Sequence, residues 1–288
     1  MILSRRRFIT IAAASLLPRS AHAHEWTGYA FGADTSIRLD APDETADAAL
    51  RAAIAEIRKI EAQFNLFDSA SAIRQLNRDK ALNAPDRMFV DLMNHADRAY
   101  RDTGGLFDPT IGAMWRDVAS GDPVNPRSMG WDQVHFDPSR ISIGDTQSIT
   151  LNGIAQGYAT DRITDLLTGF GLRDVLVNIG EYRALGGPFQ LGLSDPRHGM
   201  IGRRQLSGAA IATSSPAALF VGAQTHIMHP ARTANWSTIS VEADTATIAD
   251  AFSTALCLAN LDEIHAAAQH PAIRRIVIVD KHGDLSTI

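Results

Sequence analysis

The chain has 288 residues, 45% of them hydrophobic, which is enough for one large domain or two closely packed subdomains. Its formal net charge of −5 argues against nucleic acid as a partner, because phosphate binding requires basic patches. The single cysteine, Cys257, excludes an internal disulfide, and its apolar surroundings in the sequence predict a buried thiol.

The first residues have the pattern of an export signal. Three successive arginines, Arg5 to Arg7, precede an apolar stretch from Phe8 to Leu17, and Ala21 to Ala23 match a cleavage site. The arginines fit the twin-arginine subtype, which predicts a signal peptide of residues 1–23 and a periplasmic mature domain of residues 24–288. A membrane anchor is the alternative, but the apolar stretch is shorter than the roughly 20 residues that span a bilayer.

Removing the signal would take away four arginines and no acid, so the mature chain would have a net charge of −9. No later segment is apolar enough to span a bilayer, so the mature protein is expected to be soluble.

Helical patterns dominate the first third of the mature chain. Residues 46–64 have apolar side chains at helical spacing, with Asp43 as the candidate N-cap, and a break and a short helix are expected next, in "FNLFDSASAIRQLNR". Another helix is predicted from Phe89 to Tyr100, ended by Gly104 and Gly105. Residues 110–150 are rich in turn formers and contain short alternating runs such as "RISIG".

The second half of the chain mixes helices and strands. The segment "LNGIAQGYATDR", residues 151–162, predicts a glycine-rich loop whose backbone approaches a neighbour closely, followed by a helix that Gly171 ends. A later helix is predicted from about Ile248 to Leu258. Strands are predicted in "DVLVNIG", "FQLGLSD", "GAAIATS", "STISVEA" and "RRIVIVD". Because no strict βαβ alternation is present, the predicted fold class is α+β, or mixed α/β.

Two candidate metal ligands lie in "IADAFSTALC". Asp250 and Thr254 are four residues apart, so a helix would place a carboxylate and a hydroxyl on one face. Such hard oxygen ligands suit Mg²⁺, which completes its coordination with water and phosphate oxygens. In the alternative interpretation, Asp250 stabilises the start of the helix and Thr254 bonds back to a helical carbonyl.

Other segments offer a base and anion-binding loops. In "THIMHP", His226 and His229 lie just before Pro230, which favours a loop or a strand end, and either histidine is a candidate general base. A structural histidine is the alternative, and zinc would need a third ligand at a recognisable spacing. The segments "TGGLFDPTIG" and "IATSSPA" fit either anion-binding loops or tight turns.

In order and wording, these segments resemble the ApbE family, the FAD:protein FMN transferases, from about Gly28 to the C-terminus. The resemblance rests on eight segments that follow one another in the expected order: "SAIRQLNR", "TGGLFDPTIG", "LNGIAQGYATDR", "LVNIGEYRALG", "LGLSDP", "IATSS", "THIMHP" and "IADAFSTAL".

The resemblance implies two intimately packed subdomains with FAD in the cleft between them. It implies transfer of FMN from FAD to a Ser or Thr of an acceptor flavoprotein, with release of AMP. It implies Mg²⁺, or Mn²⁺ as the alternative, held by Asp250, Thr254 and the Ala155 carbonyl, with His226 as the catalytic base. The implied FAD contacts are Gly153, Ala155, Gln156, Gly157, Asp161, Glu181, Thr213 and Ser214.

The chain departs from the family pattern in several places. The usual loop lysine is Gln156, the second loop glycine is Asn152, and the usual N-x-G-G-D is the shorter "NIGE" ending in Glu181. His229 replaces an acid or amide. "LNGIAQGY" and "NIGEYRALG" resemble the branch linked to nitrous-oxide-reductase maturation, which implies a membrane-bound electron-transfer subunit as acceptor.

These departures leave two other functions open. One is an exported FAD-binding or carrier protein without transferase activity, which the missing lysine favours and the intact Asp250 and Thr254 oppose. The other is an FAD pyrophosphatase, in which water replaces the acceptor hydroxyl and the products are FMN and AMP.

Overall fold

A computed structural model describes residues 23–288. The predicted export signal lies outside the described residues except for Ala23. Among the described helices, none combines the length and the apolar character needed to cross a bilayer.

An eight-stranded antiparallel sheet organises the described part of the chain. Its spatial order is β1-β2-β6-β7-β10-β13-β14-β15. The strands are β1 (Ala23–Ala30), β2 (Ala33–Asp40), β6 (Val175–Ile179), β7 (Tyr182–Leu185), β10 (Ala210–Ser214), β13 (Thr238–Ala243), β14 (Ile273–Val279) and β15 (Leu285–Thr287).

Smaller sheets and seven α-helices complete the fold of residues 23–288. The short strands are β3 (Ala81–Asn83), β4 (His135–Phe136), β5 (Arg140–Ser142), β8 (Phe189–Asp195), β9 (Gly199–Leu206), β11 (Phe220–Val221) and β12 (Gln224–Thr225). The helices are α1 (Asp43–Phe64), α2 (Ala72–Asp79), α3 (Arg87–Asp102), α4 (Gly112–Ser120), α5 (Ala155–Gly169), α6 (Ala246–Leu256) and α7 (Leu261–Ala267).

The two faces of the large sheet are covered differently. The main core joins the sheet to α1, α3, α5 and α6, through side chains such as Ile37, Phe89, Ile163 and Phe252. A smaller core lies under the β8–β9 ribbon, which covers the opposite face. Both faces are therefore buried, which explains why all five residues of β6 are buried rather than every second one.

The structure confirms the α+β class, and the strands and helices predicted in the second half are all present. Cys257 is buried as expected. Asp43 is not the N-cap of α1: Pro42 occupies that position, and Asp43 lies in the first helical turn, where a carboxylate still favours the helix dipole. Helices α4 and α7 were not predicted, since α4 lies within a turn-rich segment and α7 spans only seven residues.

The boundary of α5 differs from the prediction in a way that matters for the site. The glycine-rich segment 151–162 is mostly helical, because α5 already begins at Ala155. Gly157 therefore lies inside the helix, where glycine is normally unfavourable by roughly 1 kcal/mol. A glycine at this position is therefore expected where a neighbouring element leaves no room for a side chain.

Candidate active site

A cavity of about 270 Å³ brings together most of the predicted site residues. It opens between the start of α5, the cavity-facing side of α6, the end of β10 and the segment that follows it. Of the predicted residues, it is lined by Gly153, Ala155, Gln156, Glu181, Thr213, Ser214, His226, Asp250 and Thr254. Gly157 and Asp161 lie behind this wall and do not line it.

The two glycines of the predicted loop both approach α6. A β-carbon at Gly157 would lie 2.2 Å from the carbonyl oxygen of Ala246 and 2.8 Å from the β-carbon of Asp250. A β-carbon at Gly153 would lie 3.0 Å from the side chain of Thr254. Any larger residue would push α5 away from α6, so the glycines set the distance between the two helices that carry the candidate ligands.

Asp161 holds the beginning of α6 in place. Its buried carboxylate accepts hydrogen bonds from the backbone N–H groups of Ala246 and Thr247, at 2.8 Å each, and from the Thr247 hydroxyl. Arg183 donates to the same carboxylate at 2.9 Å. These contacts satisfy N–H groups that the helix start would leave unpaired. The structure thus places Asp161 behind the cavity wall, where it supports the start of α6.

Two buried acids face the cavity together. Asp250 accepts the backbone N–H of Gly157 at 2.9 Å, and Glu181 accepts that of Thr213 at 3.2 Å. Burial raises the pKa of both carboxyl groups, and the neighbouring Asp250 raises the pKa of Glu181 further. The ionised form of each carboxyl group is therefore disfavoured in the empty site. A bound cation would stabilise the ionised form of both groups.

The cavity is unusually acidic for a site that would bind a pyrophosphate. Its described lining contains four acids, Asp34, Asp108, Glu181 and Asp250, and neither lysine nor arginine. No group of three His, Cys, Asp or Glu side chains in residues 23–288 is placed to hold a metal alone. A hard cation would therefore need hydroxyl, carbonyl and ligand oxygens besides the two carboxylates, which is the donor set that Mg²⁺ accepts.

Hydroxyl groups extend from the acids across the end of β10. The Ser214 hydroxyl lies 3.3 Å from that of Thr254 and 2.8 Å from that of Ser253. Thr213 and Ser240 exchange a similar contact at 2.8 Å. Thr254 thus presents its oxygen beside Asp250, as its spacing in the sequence predicted, and the residues present fit a magnesium site.

His226 follows β12, at the strand end that the proline predicted. Its Nδ1 lies 3.2 Å from the carbonyl oxygens of both Pro216 and Leu219. Because a carbonyl only accepts hydrogen bonds, Nδ1 carries the proton and Nε2 keeps its lone pair. Burial lowers the pKa of His226, so the ring is neutral near pH 7. A neutral imidazole with a free Nε2 lone pair is the form that a general base requires.

Three further residues line the cavity besides those assigned to the site by the resemblance. The sequence predicted no role for Trp115 or Asp108, and it indicated His229 only as an alternative base. Trp115 lines the cavity and donates its indole N–H to the His226 carbonyl at 2.6 Å. Asp108 and His229 also line it; burial raises the pKa of Asp108 and lowers the pKa of His229, and the charge of each residue partly opposes that shift in the other. Asp108 lay within the quoted segment "TGGLFDPTIG", whereas nothing in the sequence marked Trp115.

Gln156, where the resemblance implies a lysine, lies against the turn after β6. A β-carbon at Gly180 would lie only 2.4 Å from the Gln156 amide nitrogen. Gly180 has φ of +93°, a conformation that glycine adopts without strain. The turn and the glutamine side chain therefore fit each other closely.

Aromatic rings line the mouth of the cavity. Phe31 and Phe67 are both part of its lining, and Phe67 is 70% exposed. A planar ring system entering the cavity would find stacking surfaces there.

Comparison with known proteins identifies the family to which this architecture belongs. The family model described as the ApbE family matches residues 31–277. No curated protein shows a significant match to the sequence.

Several solved structures share the fold. The apo form of the flavinyl transferase ApbE from Pseudomonas stutzeri is 20% identical, with a TM-score of 0.78 over 92% of this chain and 94% of that one. The ApbE protein of Thermotoga maritima is 25% identical, with a TM-score of 0.77 over 92% and 96%. The flavin transferase ApbE from Vibrio cholerae is 16% identical, with a TM-score of 0.76 over 92% and 97%.

Proposed function

The chain belongs to the ApbE family, and from this premise we propose that it transfers FMN from FAD to a Ser or Thr hydroxyl of an acceptor flavoprotein, releasing AMP. The observation that carries the proposal is the meeting, in one cavity, of a neutral His226 with the Asp250, Glu181 and Thr254 cluster. Two of the proteins with similar structures are a flavinyl transferase and a flavin transferase.

The residues have separable roles in this reaction. His226 Nε2 accepts the proton of the acceptor hydroxyl, whose oxygen forms a bond to the phosphorus of the FMN half. The bond between that phosphorus and the bridging oxygen breaks, and AMP leaves with the oxygen. The two carbonyls at Nδ1 orient the imidazole for this step, and Trp115 holds the backbone of His226 through its carbonyl. Phe31 and Phe67 offer faces for the flat rings of FAD.

Asp250, Thr254 and Glu181 would hold Mg²⁺, with the Ala155 carbonyl as the further ligand that the family resemblance implies. When bound, the metal supplies positive charge that offsets the pyrophosphate and the leaving AMP. The acidic lining supports this requirement, because a pyrophosphate beside ionised carboxylates is repelled unless a cation lies between them. Mn²⁺ accepts similar oxygen ligands and is the alternative.

The second candidate is an FAD-binding or carrier protein, and Gln156 favours it, since the cavity then offers no protein cation to a leaving phosphate. The third is an FAD pyrophosphatase.

One experiment separates the three: the purified mature protein is mixed with FAD, Mg²⁺ and membranes of the source organism.

A flavin-fluorescent protein band that survives denaturing electrophoresis, together with AMP, supports transfer. AMP without such a band supports hydrolysis, and retained FAD without AMP supports a carrier. Either of the last two results contradicts the proposal. A boiled sample controls for flavin that adheres without a covalent bond.

We further propose that the protein works in the periplasm after twin-arginine export, and that its acceptor is a membrane-bound electron-transfer subunit of the branch linked to nitrous-oxide-reductase maturation. Replacing Arg5 and Arg6 together by lysine should leave the precursor in the cytoplasm. Fractionation with an antibody measures this. Normal export of the double variant would refute the twin-arginine route, and a replacement of Arg19, outside the arginine cluster, is the matched control.

A further inference from the structure

A second cavity, of about 240 Å³, adjoins the candidate active site. Its described lining includes two cations, Arg197 and Lys281, and no acid. Three hydroxyl residues complete its polar lining: Thr225, Thr233 and Ser237. In a protein whose mature charge is −9 and whose active-site cavity lacks lysine and arginine, this is a cationic site that the proposed transfer step does not use.

The two cations stand on turns that the fold holds in position. Asp195 accepts the backbone N–H groups of Arg197 and His198, at 2.7 and 2.9 Å, and thereby fixes the turn between β8 and β9. Asp280 accepts those of His282 and Asp284, at 2.7 and 2.9 Å, and fixes the turn before β15.

The two turns also contact each other. A β-carbon at Gly283 would lie 2.8 Å from the imidazole of His198, so the backbone of one turn packs on a side chain of the other. The contact between the turns therefore brings Arg197 and Lys281 into the lining of the same cavity. Both are exposed, and neither has an ion pair with an acid among residues 23–288.

One segment forms a wall of both cavities. Ser215 and His226 line the active-site cavity, whereas their sequence neighbours Pro216 and Thr225 line the cationic one. An extended peptide advances roughly 3.3 Å per residue, so a few residues suffice to pass from one cavity to the other. A chain whose hydroxyl lies at His226 would place a nearby side chain beside Arg197 and Lys281.

We propose that the second cavity binds an acidic side chain of the acceptor protein, close in sequence to the hydroxyl that receives FMN. The proposal rests on the proposed transferase function and adds the chemistry by which the partner is recognised: a carboxylate held by Arg197 and Lys281, with Thr233 also in the lining. The hydroxyls of Thr225 and Ser237 already donate to the Ile227 carbonyl and to Asp195, so the two cations supply the binding. An arginine beside a lysine binds carboxylates through charge-assisted hydrogen bonds.

The test uses fluorescein-labelled hexaglutamate as the probe and fluorescence anisotropy of the mature protein as the readout. We expect binding that hexaglutamine does not show and that weakens toward 1 M salt, where the screening length falls to about 3 Å. The Arg197→Gln/Lys281→Gln variant should bind on the order of tenfold more weakly or worse. The matched control is Arg58→Gln/Arg87→Gln, which removes the same charge from exposed arginines that line neither cavity.

Equal binding by wild type and the Arg197/Lys281 variant overturns the proposal, as does an equal loss in both double variants, which would mean general attraction. Binding of inorganic phosphate without hexaglutamate would replace it with a small-anion site. A flavin-transfer assay then distinguishes the proposed function from the proposed binding site. The Arg197→Gln/Lys281→Gln variant should have a higher KM for the acceptor and an unchanged affinity for FAD. If the wild type transfers no FMN, the proposed function fails while the hexaglutamate result still decides this site.

Discussion

The two walls of the candidate active site are built in different ways. On one side, α5 and α6 touch through Gly153 and Gly157, and the contact buries the carboxylate of Asp250. On the other, the segment 215–230 contains only two-residue strands and a single short turn of helix, and His226 is held there by backbone carbonyls.

This difference predicts which substitutions should lower activity without lowering stability. The helix wall depends on the absence of side chains at two positions, so a change there moves the backbone and the ligands together. The loop wall depends on main-chain hydrogen bonds, which most substitutions leave in place. Damage to the helix wall should therefore appear as lost stability and lost activity, and damage to the loop wall as lost activity with the fold retained.

The largest effect is expected for Asp250→Ala. It removes the buried carboxylate that faces both Glu181 and the backbone of Gly157, so transfer should fall by about 10³-fold or more. Thr254→Val keeps the shape and loses one oxygen, so its defect should be smaller and partly rescued by excess Mg²⁺. Rates of flavin attachment measure both.

Calorimetric titration of FAD with and without Mg²⁺ sharpens this prediction. In wild type, metal and FAD should each raise the other's affinity by the same factor, and Asp250→Ala should erase that coupling. FAD affinity that ignores Mg²⁺ in wild type would mean that the metal binds elsewhere.

The next effect is expected for His226→Ala, which tests the loop wall. Loss of a general base should slow transfer by about 10²-fold, with the melting temperature and FAD affinity little changed. Because burial lowers the pKa of His226 and the neutral ring is the active form, wild-type activity should fall only below about pH 6.5, at saturating Mg²⁺. A near-normal rate in the variant would transfer the role of base to His229.

Gly157→Ala tests the helix wall without touching a functional group. The new methyl would meet the Ala246 carbonyl, so the chain should lose about 1–3 kcal/mol of unfolding free energy, together with activity. Gly169→Ala is the matched control on the same helix, because a β-carbon there meets nothing within 4 Å. Thermal unfolding compares the two. Equal stability of both variants would show that α5 and α6 are not held in close contact.

The smallest effect is expected for Gln156→Lys. An added cation facing phosphate should tighten FAD binding by about 1 kcal/mol and leave the transfer rate near that of wild type. Titration of FAD and single-turnover transfer measure the two quantities. A large loss of rate would show that the amide of Gln156 has a role that a charge does not replace.

The sequence predicted the helix wall better than the loop wall, for physical reasons. Asp250 and Thr254 are four residues apart on a helix, so periodicity alone places them on one face. The neutral state of His226 results from its burial, and its tautomer from the carbonyls of Pro216 and Leu219. The raised pKa of Glu181 results from burial and from Asp250, which is far away in the chain. Spacing contains no information about such contacts.

Glycines misled the prediction in an informative way. A dense run of glycines indicated a loop whose backbone approaches a neighbour closely, yet Gly157 lies in a helix, and its neighbour is another helix. The inference of close approach was sound, but the sequence could not identify the neighbour. Asp161 shows the same limit, because its partners in α6 are about 85 residues away in the chain.

The contact between Gly180 and Gln156 has a consequence for how this chain diverged from its relatives. Gln156 in place of the family's lysine and the shortened turn that ends in Glu181 are separate departures in the sequence, yet they touch in the fold. A side chain at position 180 would displace the glutamine amide, so the effect of a substitution at one position depends on the residue at the other. Substitutions at positions 156 and 180 are therefore expected to be epistatic, so that the effect of the double variant differs from the sum of the two single effects.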